Sequence, residues 1–177
     1  MIQMINKLKK NQKGFTLVEL IVVLVILAIL AAFTIPAMLG FVNDARGKAS
    51  IAEAREIYVA AQSAGSDKAA KTPTGLLDGG ASGSGTTNDA DGIRVQILAL
   101  LNNDIPNIGD TGNLNVKIGN TGTMADLEKG QKNKANVSMA TDGKVTKVEY
   151  NDSTGNYKIT IEVDASGTSS AIATKYN

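Results

Sequence analysis

One carboxylate interrupts the long apolar run near the start of the chain. The nineteen residues from Leu17 to Ile35 carry a single charged side chain, Glu19. A charge at the centre of a bilayer costs about 2.5 to 3.5 kcal/mol, and a charge near the edge costs less. An ionisable residue inside a membrane-length apolar segment indicates a functional role with a specific partner, so Glu19 is the first candidate functional residue.

The composition excludes most catalytic chemistry. The 177-residue chain contains no Cys and no His, so it has no thiol nucleophile, no imidazole base and no disulfide. A zinc site would have to be built from carboxylates alone. We expect a protein that is not an enzyme, with no catalytic residue, no metal site and no cofactor.

Charge is distributed unevenly along the chain. Four lysines precede the apolar run with no acidic residue among them: Lys7, Lys9, Lys10 and Lys13. Without these lysines the chain has 14 basic and 17 acidic residues, a net charge of −3, which gives no direct signal for a nucleic-acid partner. Basic flanks stay on the cytoplasmic side of a membrane, so the lysines direct the rest of the chain outward.

A glycine, Gly14, lies before the apolar run, whereas a signal peptide carries its small residues after the run. The stretch Lys13-Gly14-Phe15-Thr16-Leu17-Val18-Glu19 closely resembles the prepilin motif of type IV pilins and of the related pseudopilins. The resemblance implies that a prepilin peptidase and methyltransferase cleaves after Gly14 and methylates the new N-terminus at Phe15. Glycine suits that position, because a residue without a side chain lets the backbone enter a cleft.

Cleavage would create an amine four residues before Glu19. Residues at i and i+4 are neighbours on a helix, so the amine and the carboxylate could pair within one chain. In the pilins that the motif resembles, the carboxylate meets the amine of a neighbouring subunit as that subunit joins the filament base. The resemblance thus implies that Glu19 and Phe15 act in assembly. The implied partners are other copies in a helical homopolymer, the pilus assembly platform and the membrane.

Two simpler explanations of the N-terminal segment stay open. As a helix, Leu17 to Ile35 would span about 28 Å, which fits a plain transmembrane anchor. A secretory signal peptide is the second alternative, but no Ala-x-Ala site follows the apolar core, and Ile29-Leu30-Ala31 is only a looser match. Neither explanation accounts for Gly14-Phe15 or for Glu19.

The apolar run leads into a second helical segment. Pro36 and Gly40 predict a kink or a flexible stretch. The resemblance implies that helical order in assembled pili is lost just before such a proline, here over about residues 28–36. From residue 41 to about residue 64 the pattern is amphipathic, with the stripe Gly47, Ile51, Ala54, Tyr58 and Ala61. Together the two segments predict one helix of about fifty residues.

A loop and a short helix are predicted next. The glycine- and serine-rich stretch at residues 78–92 predicts a surface loop. Four apolar residues then recur at helical spacing before Pro106: Ile93, Ile97, Leu100 and Leu101. They favour a short helix, although the alternation in residues 93–97 also fits a strand.

The last third of the chain predicts an antiparallel meander. Asp142-Gly143 is a two-residue hairpin signal of type I′, and residues 151–156 form a second turn. The predicted pairs are Met139 with Thr146, Val137 with Val148, and Tyr150 with Tyr157. Both registers place one apolar set on the same face: Val137, Met139, Val148, Tyr150, Tyr157, Ile159, Ile161 and Val163. Residues 113–118 are a candidate for a further strand.

The predicted class is α+β with a pilin fold. A long N-terminal helix, hydrophobic and then amphipathic, packs under a C-terminal antiparallel β-meander. The predicted parts are a cleaved leader at residues 1–14, a hydrophobic transmembrane and filament-core helix at 15–40, and an amphipathic helix with a globular head at 41–177. Pilins often close the C-terminal region with a disulfide, which this chain lacks.

The sequence also contains N-glycosylation motifs. Residues 149–153 match an acidic extended sequon centred on Asn151, and Asn136 begins a short sequon. Asn151 falls on a predicted turn, where a glycan would be accessible.

The expected function is that of a structural subunit, a major pilin, that polymerises into a type IV pilus on the cell surface. The alternative within the same family is a pseudopilin of a type II secretion or competence system. A membrane-tethered enzyme or binding module is an alternative from another class. We expect a single-pass protein of the cytoplasmic membrane with its head outside, which then enters an extracellular filament.

Overall fold

The computed structural model describes residues 14–78, 80–81, 89–102, 104–119 and 124–176. The four N-terminal lysines and most of the predicted glycine-rich loop lie outside these residues. The chain divides into two compact units, Met1–Asp44 and Ala45–Asn177. The apolar run belongs to the first unit, and every strand belongs to the second.

Helix α1 runs from Leu17 to Lys71, a length of 55 residues. This confirms the prediction that a single helix joins the apolar run to the amphipathic segment. Pro36 and Gly40 both lie inside the helix, and α-helical structure continues through them. Neither residue ends the helix.

The second half of α1 supplies one wall of the core of the second unit. Its buried residues are mostly small: Ser50, Ala54, Ile57, Ala60, Ala61, Ala64, Gly65 and Ala69. Small side chains let a sheet approach the helix closely. The buried face is displaced around the helix from the predicted stripe, however. Ile51 and Tyr58 are only partly buried, whereas Ile57, which the stripe omits, is fully buried.

Helix α2, Asp89–Leu101, confirms the short helix and excludes the strand alternative. It adds four residues to the same core: Ala90, Ile93, Ile97 and Leu101. Leu100 was predicted to lie on the apolar face, but it is half exposed. The helix is tied to α1 at its start, where Lys68 Nζ lies 3.2 Å from Asp89 Oδ1. A carboxylate also suits a helix N-terminus, because the helix dipole is positive there.

Six strands form one sheet whose spatial order follows the sequence: β1 Gly80–Ala81, β2 Leu114–Ile118, β3 Lys134–Met139, β4 Val145–Asn151, β5 Tyr157–Val163 and β6 Ser169–Lys175. Strands β3 to β6 form the antiparallel meander. Strand β2 confirms the candidate at residues 113–118, but it pairs with β3 in parallel. Parallel neighbours need a long connection, which residues 119–133 supply. The sheet is therefore mixed, within the predicted α+β class, and β6 was not predicted.

The first hairpin differs from the predicted type I′ turn. A type I′ turn needs positive φ at both central residues, but only Gly143 has it, at 81°, and Asp142 does not. The Gly143 N–H donates to the Ala140 carbonyl oxygen at 3.1 Å, and the Ala140 N–H donates to the Lys144 carbonyl oxygen at 2.8 Å. This is a three-residue loop that ends in a left-handed glycine.

The predicted strand register is wrong at the turn of the first hairpin and throughout the pairing of β4 and β5, yet the predicted face is buried. A bulge after Ser138 sets Met139 opposite Val145 instead of Thr146. Tyr150 lies opposite Ile159 instead of Tyr157, a shift of two residues. A shift by two preserves which face each side chain occupies. All eight residues of the predicted apolar set are accordingly buried except Val163, which is partly buried.

Tyr150 joins the sheet to the helix through a polar contact inside the core. Its side chain is fully buried, and its hydroxyl lies 2.9 Å from Glu53 Oε2 on α1 and 3.1 Å from Asn133 Oδ1. Burial, together with the nearby Glu53 carboxylate, raises the pKa of the Tyr150 hydroxyl. The hydroxyl therefore stays protonated and donates a hydrogen bond to the Glu53 carboxylate. Hydrogen bonds to a carboxylate are stronger than those between neutral groups.

Candidate processing and assembly segment

The Gly14-Phe15 bond lies just before the helix, in exposed backbone. Gly14 has no regular secondary structure, and a side chain placed there would meet no atom within 4 Å. The Phe15 side chain is 83% exposed. The bond is therefore exposed and lies outside regular secondary structure.

Thr16 and Glu19 form a capping box at the start of α1. Glu19 Oε2 accepts a hydrogen bond from the Thr16 N–H at 2.8 Å and another from the Thr16 hydroxyl at 2.8 Å. In return, the Glu19 N–H donates to Thr16 Oγ1 at 3.3 Å. The two residues satisfy backbone donors that the first turn of a helix leaves without intrahelical partners. The pairing role predicted for Glu19 omitted this contact, although the Thr-x-x-Glu spacing is visible in the sequence.

The capping box fixes where the carboxylate lies. Both hydrogen bonds from Thr16 go to Oε2 of Glu19, and the carboxylate is solvent-exposed in the first turn of the helix. The positive end of the helix dipole favours an anion there. After cleavage the amine would belong to Phe15, the residue before the capping residue Thr16. The segment therefore holds the carboxylate beside the bond that processing would open.

From Leu20 to Val42, no other described part of the chain covers helix α1. Its large apolar side chains between Leu17 and Val42 are 42–78% exposed. The most apolar window has a mean hydropathy of 3.0, and none of it is buried within the described chain. The helix is long and apolar enough to cross a membrane. An exposed apolar surface of this size is typical of a membrane-contacting or protein-contacting segment.

Pro36 and Gly40, predicted to give the helix flexibility, lie within this uncovered stretch. Thr34 donates its hydroxyl proton to the Leu30 carbonyl oxygen at 2.7 Å, one turn earlier. No atom lies within 4 Å of the position that a side chain at Gly40 would take. Both residues therefore lie in the exposed apolar part of the helix, and the flexibility predicted for them stays a prediction.

The predicted glycan position at Asn151 is not accessible. Asn151 is the last residue of β4 instead of a turn residue, and it is fully buried. Its Nδ2, the atom that would carry a glycan, donates to the Glu128 carbonyl oxygen at 2.8 Å. Asn136 is also buried, and its Nδ2 donates to the Ala125 carbonyl oxygen at 2.8 Å. Both amides serve the fold, because they hold the connection between β2 and β3 against the sheet.

Contacts made by Tyr176 hold the C-terminal region in place, in a chain that has no cysteine to form a disulfide. The Tyr176 hydroxyl lies 2.9 Å from the Leu127 carbonyl oxygen and 3.0 Å from Asn151 Oδ1. The Tyr176 N–H donates to the Asn156 carbonyl oxygen at 2.8 Å. These bonds join the end of the chain to the β2–β3 connection and to the turn before β5.

A long apolar helix that begins just after an exposed Gly-Phe bond and continues into an α+β head is consistent with a pilin fold. Residues 9–35 match the prokaryotic N-terminal methylation motif. The chain is therefore a type IV prepilin-like protein. No curated protein and no solved structure matches it.

Proposed function

We propose that this chain is a major pilin, the structural subunit of a type IV pilus filament. The observation that carries the proposal is an exposed apolar helix with a single carboxylate, Glu19, in the capping box at its start. The apolar surface from residue 17 to residue 42 needs a cover. In the membrane that cover is lipid, and in a filament it is the same helix of other copies.

Processing is the first step of the proposed function. A prepilin peptidase and methyltransferase cleaves the Gly14-Phe15 bond, removes the leader at residues 1–14 and methylates the Phe15 amine. The mature chain then comprises the hydrophobic helix at residues 15–40 and the head, with its amphipathic helix, at residues 41–177. Before assembly the chain crosses the cytoplasmic membrane once, with the head outside.

Assembly is the second step. The carboxylate of Glu19 binds the Phe15 amine of a neighbouring copy when a subunit leaves the bilayer for the assembly platform. Oε2 already accepts two hydrogen bonds from Thr16, so we assign Oε1 to the amine. An amine and a carboxylate that are buried together compensate one another, and their pairing sets the relative position of adjacent copies. A plain membrane tether needs no such carboxylate.

The head contributes surface and solubility in this proposal, and it carries out no reaction. Among the residues that the structure describes, no group of three or more His, Cys, Asp and Glu side chains could hold a metal ion. The core of the head is built from apolar side chains, which suits a rigid structural unit.

Electron microscopy of filaments sheared from the cell surface, with intact-mass measurement of their subunit, tests the proposal. We expect filaments made of this chain, with subunits that begin at N-methylated Phe15. A strain carrying Gly14→Val is the matched control, and it should yield precursor in the membrane and no filament. Cells that keep all of the mature chain in the membrane, with no filament, would contradict the proposal and favour a tether.

A further inference from the structure

Strand β6 forms an open edge of the sheet. It pairs with β5 over seven consecutive positions without a bulge, from Tyr157 opposite Lys175 to Val163 opposite Ser169. No other strand among the described residues lies on its far side. The edge is therefore long and regular.

The hydrogen bonds at the two ends of β6 show which backbone groups face outward. The Asp164 N–H donates to the Thr168 carbonyl oxygen at 3.0 Å, and the Tyr176 N–H donates to the Asn156 carbonyl oxygen at 2.8 Å. Residues of an antiparallel strand alternate between bonding one side and the other. The even-numbered residues of β6 therefore bond β5. The odd-numbered residues turn their N–H and C=O groups outward, and they are Ser169, Ala171, Ala173 and Lys175.

Within the described part of the chain, this edge lacks the usual protections against strand pairing. Proteins protect exposed edges with prolines, bulges, inward charges or covering loops. Strand β6, Ser169–Lys175, contains no proline, and its only charge is the terminal Lys175. Its central residue, Ile172, is 62% exposed and is the only large apolar side chain in strands β2 to β6 that is exposed to this degree.

We propose that β6 is a self-association edge, at which the β6 strands of two copies pair antiparallel about a two-fold axis at Ile172. In that register Ala171 lies opposite Ala173 of the second copy, and Ser169 lies opposite Lys175. All four outward-facing residues then meet outward-facing residues, which forms about eight backbone hydrogen bonds.

The side chains favour a second copy as the occupant. Ile172 of each copy covers Ile172 of the other, so the exposed apolar side chain finds an apolar neighbour. Each Lys175 faces Ser169, so the register opposes no like charges. A two-fold contact closes after two copies, whereas a filament needs head-to-tail contacts. The β6 contact is thus additional to the proposed filament contact and goes beyond the proposed function.

Cysteine cross-linking of the full-length chain in detergent tests the pairing, because the natural sequence has no cysteine. In the proposed register the two Ile172 positions form a non-hydrogen-bonded pair with Cα atoms about 4.5 Å apart, within the range for a disulfide. We expect Ile172→Cys to form disulfide-linked dimers at least tenfold faster than Val95→Cys. Val95 is the matched control, since it is also 62% exposed but lies on α2.

A second experiment tests the register of the two β6 strands and leaves Ile172 unchanged. Residue 170 lies opposite residue 174 of the second copy, so a mixture of Ser170→Cys and Thr174→Cys chains should form the mixed dimer. Each variant alone should cross-link no faster than Val95→Cys. Equal rates for Ile172→Cys and Val95→Cys would overturn the proposal. Preferential cross-linking of Cys at position 172 to a different protein in cells would overturn it too, because β6 would then serve another partner.

Discussion

Gly65 on α1 and Gly143 in the β3–β4 turn meet backbone to backbone. A side chain at Gly65 would overlap the carbonyl oxygen of Gly143, and a side chain at Gly143 would overlap the carbonyl oxygen of Gly65. Gln62 completes the junction, since its Nε2 donates to the Gly143 carbonyl oxygen at 3.3 Å and its Oε1 accepts from the Val145 N–H at 2.9 Å. The helix therefore meets the hairpin through glycines and one amide.

Gly65→Ala should destabilise the head by about 1 to 3 kcal/mol, because the methyl group forces two backbone segments apart. Gly47→Ala is the matched control on the same helix. Its methyl group would lie at ordinary contact distance, 3.9 Å from Tyr157 and 4.0 Å from Ala173. Alanine also favours a helix over glycine by up to about 1 kcal/mol. Thermal unfolding of a fragment from residue 41 should thus show a lower Tm for Gly65→Ala and an equal or higher Tm for Gly47→Ala.

Gly14→Val should block processing and leave the uncleaved precursor. A β-branched side chain occupies the cleft through which the peptidase must draw the backbone. Intact-mass measurement of membranes should find mature chains that begin at Phe15 in the wild type and chains that retain the leader in the variant. Wild-type subunits that begin at Met1 would contradict this cleavage site.

Glu19→Ala should be inserted, cleaved after Gly14 and folded in the head, yet remain in the membrane. Glu19→Gln should fail in the same way, because an amide accepts a hydrogen bond from an amine but does not neutralise it. The measurement is the ratio of sheared filament to membrane-retained subunit in cells that supply only the variant. Thr16→Ala separates the two roles of the carboxylate, since it removes the cap and keeps the charge. Wild-type filament yield from Glu19→Ala would show that the carboxylate has no assembly function.

Tyr176→Phe should lower the stability of the head by about 1 kcal/mol, the usual contribution of one hydrogen bond. The substitution removes the hydroxyl that lies near Leu127 and Asn151 and leaves the ring in place. Asn151→Ala should cost more, because the hydrogen bond from Asn151 Nδ2 to the Glu128 carbonyl oxygen is lost with it. Denaturant unfolding measures both changes. Peptide mass spectrometry should find Asn151 unmodified, and a glycan there would contradict the buried position.

The head should lose stability in acid, because protonation of Glu149 removes its ion pairs with Lys147 and Lys158. Burial opposes ionisation of this carboxylate, but hydrogen bonds and charges from Lys158 and Lys147 outweigh burial and hold the pKa of Glu149 below its usual value. Its contribution to stability is therefore complete above about pH 4.3, the pKa of an unfolded chain, and is lost as the pH falls through the lower folded pKa.

Glu149→Gln should accordingly lower the Tm at pH 7 by a few degrees, with a difference that shrinks toward pH 2. Lys147 Nζ and Lys158 Nζ lie 3.1 and 3.0 Å from Glu149 Oε1. Glu162→Gln is the control, because that carboxylate is 3.7 Å from Lys147 and its side chain is 66% exposed. A Tm difference for Glu149→Gln that is the same at pH 7 and pH 2 would show that the ion pairs do not stabilise the fold.

Features that depend on residues close together in the sequence were predictable. The long helix follows from an uninterrupted apolar run and an amphipathic pattern, and the face of each strand follows from alternation with a period of two. The capping box was equally local, since Thr16 and Glu19 have the spacing that the motif requires, although it was not predicted. Pairs in strands β4 and β5 were displaced by two residues without harm to the core, because parity decides the face.

Other features depended on contacts between distant parts of the chain. The parallel pairing of β2 arises because residues 119–133 carry the chain back to the same end of the sheet. Asn151 is buried because Tyr176 and Glu128, far away in sequence, converge on it. The sequence predicted only a turn position for Gly143. The packing of α1 against the hairpin shows that Gly143 must also lack a side chain to contact the Gly65 backbone. Local sequence determined which elements form and which side faces inward, whereas tertiary packing decided which backbones touch.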